Sequence, residues 1–260
     1  MKKLLILAII SSLTFYCVPG KRTSFKEESG QEYAVNVDTL TLVDLTRNRK
    51  IPVAFYAPPV VPQAEKQKVI IFSHGYGQNK GGDYLAYSYL TENLAASGYF
   101  VASIQHELPT DSLMPRTGIP QVVRRPFWER GVDNILFVII QLKKLKPGLD
   151  FTDLALIGHS NGGDMVALFP QKYPNVVKKI ITLDNRRMAL PITKTNPEVY
   201  SIRSSDQAAD EGVLPTAEEQ KQFAITIVKL PNTIHDHMDD HANAEQRKEI
   251  NNYILDFLKK

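Results

Sequence analysis

Residues 154–163 constrain the fold of this chain more than any other segment, because they join a strand to a helix through the pattern G-x-S-x-G. The first four, Leu-Ala-Leu-Ile, form an apolar run typical of a strand buried on both faces. A helix is predicted over residues 164–173. In this context Ser160 is expected on a strained turn that exposes its hydroxyl above a sheet, as a nucleophile. Gly158 and Gly162 fit such a turn because side chains there would strike neighbouring backbone.

The rest of the chain alternates between strand and helix patterns. Residues 33–45 and 51–56, joined by a turn at 46–49, predict an antiparallel hairpin. Further strands are predicted at 69–72, 99–104, 154–157, 179–183, 199–202 and 224–228, and helices at 84–97, 126–145, 164–173 and 244–258. This alternation predicts an α/β fold, with a mostly parallel central sheet and helices on both faces.

The short segment between Asp184 and Val199 leaves no room for a large lid domain. The substrate site is therefore expected to be open, and to be shaped by loops such as residues 105–121. An open site of this kind favours short acyl groups or a bulky, exposed substrate.

A nucleophilic serine attacks acyl groups, and two backbone N–H groups are expected to hold the negative oxygen that forms. One belongs to Asn161, directly after Ser160 at the helix start, where N–H groups face negative charge. The other belongs to Tyr76, in the loop after the third strand. His74 is predicted to shape this loop through local hydrogen bonds, and His159 to point away from the serine hydroxyl.

The serine also needs a general base, and chains with this motif place it after the acid, in the order Ser, acid, His. Three histidines follow the motif, and they are His235, His237 and His241. His235 is favoured because it lies nearest to the last strand, and Met238 could pack behind its ring. His241 is predicted to be solvated near the start of the last helix.

Two aspartates are candidates for the acid. Asp184 ends the strand at 179–183, and Asp206 follows the next strand. Both positions lie at carboxyl ends of strands, where functional groups collect in such sheets. Either could orient the imidazole and stabilise its charged form, while the other would cap a loop. The residues alone leave this choice open.

Four segments carry a likeness to a known family, at residues 72–77 (FSHGYG), 96–106 (ASGYFVASIQH), 158–163 (GHSNGG) and 181–184 (ITLD). Together they resemble the platelet-activating-factor acetylhydrolase and chlorophyllase-like esterases of the α/β-hydrolase superfamily. The resemblance implies an α/β-hydrolase fold, and hydrolysis of a small-molecule or lipid ester without a cofactor. Its Leu-Asp pair matches Leu183-Asp184, which favours Asp184 as the acid. Asn185, Arg186 and Arg187 depart from the family pattern. The two arginines could bind an anionic substrate, but they are interpreted as surface charges.

Two other functions compete with a serine hydrolase. The cluster of histidines and aspartates at residues 235–241 could hold zinc, although its spacing differs by one from the H-x-H-x-D-H signature of metal-dependent hydrolases. A non-catalytic binding protein could also use the same fold. The metal alternative leaves the motif at Ser160 unexplained, so no metal is expected. A net charge of +3 gives no reason to expect a nucleic-acid partner.

The first residues predict a segment for export. Lys2 and Lys3 precede an apolar run that is too short for a membrane-spanning helix, so residues 1–17 are interpreted as a signal peptide. Cys17 is the only cysteine and lies where a lipoprotein signal would be acylated, although residues 14–16 depart from that pattern. Residues 18–31 are predicted to be a polar tether and residues 32–260 a single domain, in a periplasmic, secreted or membrane-anchored protein.

Overall fold

The computed structural model describes residues 21–26, 32–58 and 66–260, so Cys17 and the predicted signal segment lie outside the described residues. Within the described residues, nine strands form one sheet. They are β1 Lys21–Lys26, β2 Glu32–Asp44, β3 Arg49–Ala57, β4 Lys68–Ser73, β5 Phe100–Ile104, β6 Asp150–His159, β7 Lys179–Leu183, β8 Glu198–Arg203 and β9 Thr226–Lys229. The α-helices are α1 Ser88–Ala96, α2 Pro120–Val123, α3 Arg125–Leu145, α4 Asn161–Lys172, α5 Ala217–Phe223 and α6 Ala244–Leu258.

The strands lie in the order β1-β2-β3-β5-β4-β6-β7-β8-β9. The pairs from β1 to β5 are antiparallel, and the pairs from β5 to β9 are parallel. Residues 184–197, between β7 and β8, contain no helix or strand. The predicted parallel sheet, the antiparallel hairpin before it and the missing lid domain are all confirmed.

Apolar side chains of the central strands are buried on both faces of the sheet. Ile70 and Phe72 pack with the apolar side chains of α1 and α6. Ile71, whose side chain alternates with theirs, packs with those of α3 and α4. These central strands lack the polar alternation of half-exposed strands because helices cover both faces.

Two predicted elements begin later than expected. The segment 84–97 was predicted as one helix, but it forms a 3₁₀ turn, Asp83–Leu85, and then α1. Tyr87 separates these two elements because its backbone is not helical, with a φ of −131°. The strand predicted at 224–228 begins at Thr226, because Ala224 has a left-handed conformation that ends α5. Both differences come from local backbone geometry, which the apolar pattern does not encode.

Three elements were not predicted. Strand β1 lies inside the segment interpreted as a tether and pairs with β2 through backbone hydrogen bonds, which an edge strand of polar composition can form as well as an apolar one. Helices α2 and α5 are short and bury no residue, so they have no apolar face to recognise. Among the described helices, none is long and apolar enough to span a membrane.

Candidate active site

Ser160 lies on a strained turn between β6 and α4, with φ 51° and ψ −116°. A Cβ atom at Gly158 would overlap the backbone of Gly162, and one at Gly162 would overlap the carbonyl oxygens of Ser73 and His74. Both glycines are therefore required by close backbone approach, as the motif predicted.

His235 links Ser160 to an aspartate. Its Nε2 lies 2.9 Å from Ser160 Oγ, and its Nδ1 lies 2.5 Å from Asp184 Oδ2. Because a carboxylate only accepts hydrogen bonds, Nδ1–H donates to Asp184 and Nε2 is left to accept from the serine hydroxyl. The three side chains form one hydrogen-bonded series.

Asp184 is fully buried and held on three sides. Its Oδ1 accepts a hydrogen bond from Ser204 N at 3.0 Å, its Oδ2 accepts one from Ser204 Oγ at 2.7 Å, and Arg203 Nη2 lies 2.9 Å from Oδ1. Burial alone would raise the pKa of Asp184, but the hydrogen bond from His235, the Arg203 charge and the Ser204 bonds together lower it. The carboxylate therefore stays ionised beside the imidazole.

Asp206, the alternative acid, contacts a different part of the same histidine. Its Oδ1 accepts a hydrogen bond from the backbone N–H of His235 at 2.7 Å. This bond anchors the 3₁₀ turn His235–His237. The structure thus places Asp184 at the imidazole ring and Asp206 at the backbone.

Backbone hydrogen bonds continue beyond the ends of the strands that carry these residues. They run from Ser160 N to Leu183 O, from Asp184 N to Ile202 O and from Ser205 N to Thr233 O, each at 2.8 Å. We call this series the ladder extension. It ties the residue after β6 to the end of β7, the residue after β7 to the end of β8, and the loop after β8 to the loop after β9.

The loop that holds Tyr76 is oriented by His74. The Nδ1–H of His74 donates to Gly75 O at 2.6 Å, as the prediction of a local role required. Gly75 O and Tyr76 N–H belong to one planar peptide and point in opposite directions, so this bond turns the N–H away from the His74 ring. An ideal Cβ at Gly75 would lie 3.5 Å from Ser160 Cβ, so this peptide adjoins the serine.

His159 points to Tyr87, a residue that the sequence did not single out. Its Nδ1 lies 2.7 Å from Tyr87 Oη, which also accepts a hydrogen bond from Gly75 N at 3.0 Å. Its ring lies 4.7 Å from that of His235, measured between centroids. Burial, followed by the nearby His235, lowers the pKa of His159 to about 3, so this ring is neutral.

Asp164, in the first turn of α4, holds the segment after Asp184. Its Oδ1 accepts hydrogen bonds from the backbone N–H groups of Arg186, Arg187 and Met188 at 3.2, 2.9 and 2.9 Å. Burial raises the pKa of Asp164 to about 6, although these bonds lower it. Arg186 and Arg187, interpreted as surface charges, are half-buried.

The histidine side chains of residues 235–241 do not point to a common centre, as metal ligands would. His241 has an 81% exposed side chain and pairs with Asp239 at 2.8 Å, while His235 points to Ser160. Across residues 21–26, 32–58 and 66–260, no three His, Cys, Asp or Glu side chains are grouped so that they could hold a metal ion. The solvated position predicted for His241 agrees with the structure.

A cleft of about 460 Å³ opens at Ser160. Its wall combines the loop at Gly75 and Tyr76 with the 3₁₀ turn His235–His237, and it contains three aspartates, Asp83, Asp236 and Asp239. Among the described residues that line it, no aliphatic side chain is larger than that of Ala86. Residues 105–121, which were predicted to shape this site, do not line the cleft themselves. They contact two side chains that do, because Gln105 Nε2 donates to Asp83 Oδ2 and Met114 N donates to Tyr76 Oη, both at 3.0 Å.

Comparisons with known proteins give matches of structure alone. No family model and no curated protein matches the chain. A ferulic acid esterase from Streptomyces cinnamoneus is similar with 17% identity and a TM-score of 0.64, over 86% of this chain and 88% of that chain. An esterase from Rhizomucor miehei is similar with 15% identity and a TM-score of 0.60, over 86% and 83%.

A third similar structure is a dienelactone hydrolase-like promiscuous phosphotriesterase from metagenomic libraries, with 13% identity, a TM-score of 0.61 and coverage of 86% and 98%. At such identities the structural similarity is evidence for the fold alone. The order of the strands, the turn at Ser160 and these neighbours agree. The chain has the α/β-hydrolase fold.

Proposed function

We propose that this protein is a serine hydrolase that cleaves carboxylic esters through an acyl-enzyme. The observation that carries the proposal is the hydrogen-bonded series from Ser160 Oγ through His235 to Asp184. These side chains follow β6, β9 and β7, at the carboxyl edge of the sheet where ligands bind in such folds. The esterases among the structural neighbours support ester hydrolysis in general terms.

In the first half of the reaction, Ser160 Oγ attacks the carbonyl carbon of the ester while its proton passes to His235 Nε2. The backbone N–H groups of Asn161 and Tyr76 hold the resulting oxyanion. The bond to the alcohol then breaks, and the alkoxide takes the proton from His235. Asp184 stabilises the imidazolium that exists between these two transfers.

In the second half, a water molecule attacks the acyl carbon while His235 takes one of its protons. The bond between the acyl carbon and Ser160 Oγ breaks, and the proton returns to the serine oxygen. The products are a carboxylic acid and the regenerated enzyme. No step requires an electron acceptor or another cofactor.

The wall of the cleft favours small, polar esters over long-chain lipids. A buried methylene group contributes about 0.8 kcal/mol only where apolar side chains receive it. Ala86 is the largest aliphatic residue in the described wall, where the rings of Tyr76 and Tyr87 provide further apolar surface and three aspartates accompany them. We therefore propose short acyl groups as the substrate class.

Labelling with a fluorophosphonate tests the assignment of the nucleophile. The probe should label the purified wild-type protein, and Ser160→Ala should abolish labelling and the hydrolysis of p-nitrophenyl acetate. Circular dichroism should show that the variant still melts cooperatively. Hydrolysis that survives Ser160→Ala but is lost with a chelator would overturn the proposal in favour of metal chemistry, and a protein inert to every ester and to the probe would favour a binding function.

We also propose export, because Lys2, Lys3 and the apolar run after them have the layout of a signal. Acylation of Cys17 would attach the protein to a membrane. Metabolic labelling with a clickable fatty acid should mark the wild-type protein but not Cys17→Ser. Recovery of both proteins from the medium without label would support a cleaved signal peptide instead.

A further inference from the structure

The side chain of Asn161, the residue after the proposed nucleophile, is held at both ends in the interior. Trp128 Nε1 donates to its Oδ1 at 2.8 Å, and its Nδ2 donates to Glu107 Oε1 at 2.8 Å. Exposure is 6% for Asn161, 1% for Glu107 and 0% for Trp128. Both partners thus act on the amide without contact with solvent.

The chemistry of the partners fixes the orientation of this amide. An indole N–H can only donate, so the amide oxygen must face Trp128 and the amide nitrogen Glu107. A flipped amide would place its own N–H donors against the indole N–H. The two partners come from α3 and from the loop after β5, so the clamp joins α4 to two separate parts of the fold.

The position of Asn161 in the chain gives this clamp a consequence for the site. Asn161 is the first residue of α4, where backbone N–H groups have no intrahelical acceptor and the helix end is prone to fraying. A side chain fixed at both ends restrains the backbone that carries it. We propose that Glu107 and Trp128 are positioning residues, which hold the Asn161 peptide so that its N–H faces the oxyanion.

The carboxyl group of Glu107 also lies near His74, which orients the loop that holds Tyr76, the other proposed oxyanion donor. Its Oε2 has no hydrogen-bond partner among the described residues and lies 3.8 Å from His74 Nε2. His74 in turn orients the peptide between Gly75 and Tyr76. The proposal concerns the Oε1 bond, and it rests on the proposed function because an oxyanion forms only in acyl transfer.

Conservative variants separate this role from general packing. Glu107→Gln keeps an acceptor for Asn161 Nδ2 and should change kcat for p-nitrophenyl acetate by less than about threefold. Glu107→Met removes the acceptor at similar volume, and should lower kcat by about tenfold to a hundredfold with little change in KM. Trp128→Phe removes the indole donor and should act in the same direction. Equal losses in Glu107→Gln and Glu107→Met, or a rise in KM at constant kcat, would overturn the proposal.

The decisive test repeats these changes in an Asn161→Ala background, which keeps the backbone N–H but removes the clamped amide. If Glu107 and Trp128 act through that amide, their substitutions should add less than about twofold there. Losses that multiply in the Asn161→Ala background would show that the two residues act elsewhere. Melting temperatures measured for every variant exclude loss of fold as the cause.

A measurement that does not depend on catalysis separates this proposal from the proposed function. The NMR order parameter of the Asn161 backbone amide should be lower in Glu107→Met than in Glu107→Gln and the wild type. An unchanged order parameter in Glu107→Met would overturn the positioning role even if the protein cleaves esters. A lower order parameter in a protein that cleaves no ester would support the clamp and refute the proposed function.

Discussion

Asp206 accepts the backbone N–H of His235 at 2.7 Å, while the imidazole of the same residue faces Asp184. One aspartate therefore anchors the loop and the other contacts the ring. We predict that Asp184→Asn lowers kcat by about 10⁴-fold, because the imidazolium loses its negative partner and its tautomer.

Asp206→Asn is the matched comparison, because its amide oxygen can still accept the N–H of His235. Its kcat should fall by less than about tenfold. Both variants are compared at saturating p-nitrophenyl acetate. Losses of equal size would contradict the separate roles of the two aspartates.

Gly162→Ala should disrupt the turn at Ser160. A Cβ atom there meets the carbonyl oxygens of Ser73 and His74, so the strand and helix must move apart. We expect a loss of about 3 kcal/mol or more in unfolding free energy, and loss of fluorophosphonate labelling. Gly148→Ala is the control, because a Cβ atom at Gly148 meets nothing within 4 Å. Similar melting temperatures for the two variants would contradict the close approach.

His159 should make the protein sensitive to acid. Its pKa is about 3 in the folded protein against an ordinary value of 6.5, so the unfolded chain binds the proton more tightly. The contribution of His159 to stability should therefore be lost as the pH falls from about 6.5 towards 3, with a slope of up to about 1.4 kcal/mol per pH unit. The raised pKa of Asp164 acts in the opposite direction below about pH 6, so the slope of His159 is read as the difference between the wild type and a variant without this ring. Urea unfolding at intervals from pH 7 to pH 4.5 measures this slope.

His159→Gln removes the titrating ring and should flatten this slope, whereas the exposed His241→Gln should not. Part of the slope should persist in His159→Gln, because burial also lowers the pKa of His106. A slope that is identical in the wild type and in His159→Gln would show that His159 does not contribute.

The cleft predicts a preference among acyl groups. With p-nitrophenyl esters of increasing chain length, kcat/KM should be highest for acetate or butyrate and should fall at octanoate, because the described wall offers no large aliphatic side chain. A steady rise in kcat/KM up to octanoate would indicate an apolar acyl site elsewhere.

Local constraints were predictable from the sequence, and contacts between distant segments were not. The turn at Ser160 could be predicted because its glycines lie within two residues of it. The residues alone left the choice between Asp184 and Asp206 open, and only the Leu-Asp pair of the resembling family favoured Asp184, because both aspartates reach His235 and differ only in the atom that they contact.

Other residues of the site were missed because tertiary packing alone brings them there. Tyr87 meets His159 across 72 positions of sequence, and Glu107 meets Asn161 across 54. Ser204, which holds Asp184, could have been suspected from its place at the carboxyl end of β8.

The ladder extension has a consequence for local opening of the site. Because Ser160, Asp184 and Ser205 donate their backbone N–H groups to the neighbouring strand or loop, none of the three segments can detach without breaking a bond to its neighbour. Their amide hydrogens should therefore exchange with solvent at one common rate, set by opening of the whole sheet edge. The reactive groups belong to the same cooperative unit as the core, so the site should survive intact until the domain itself unfolds.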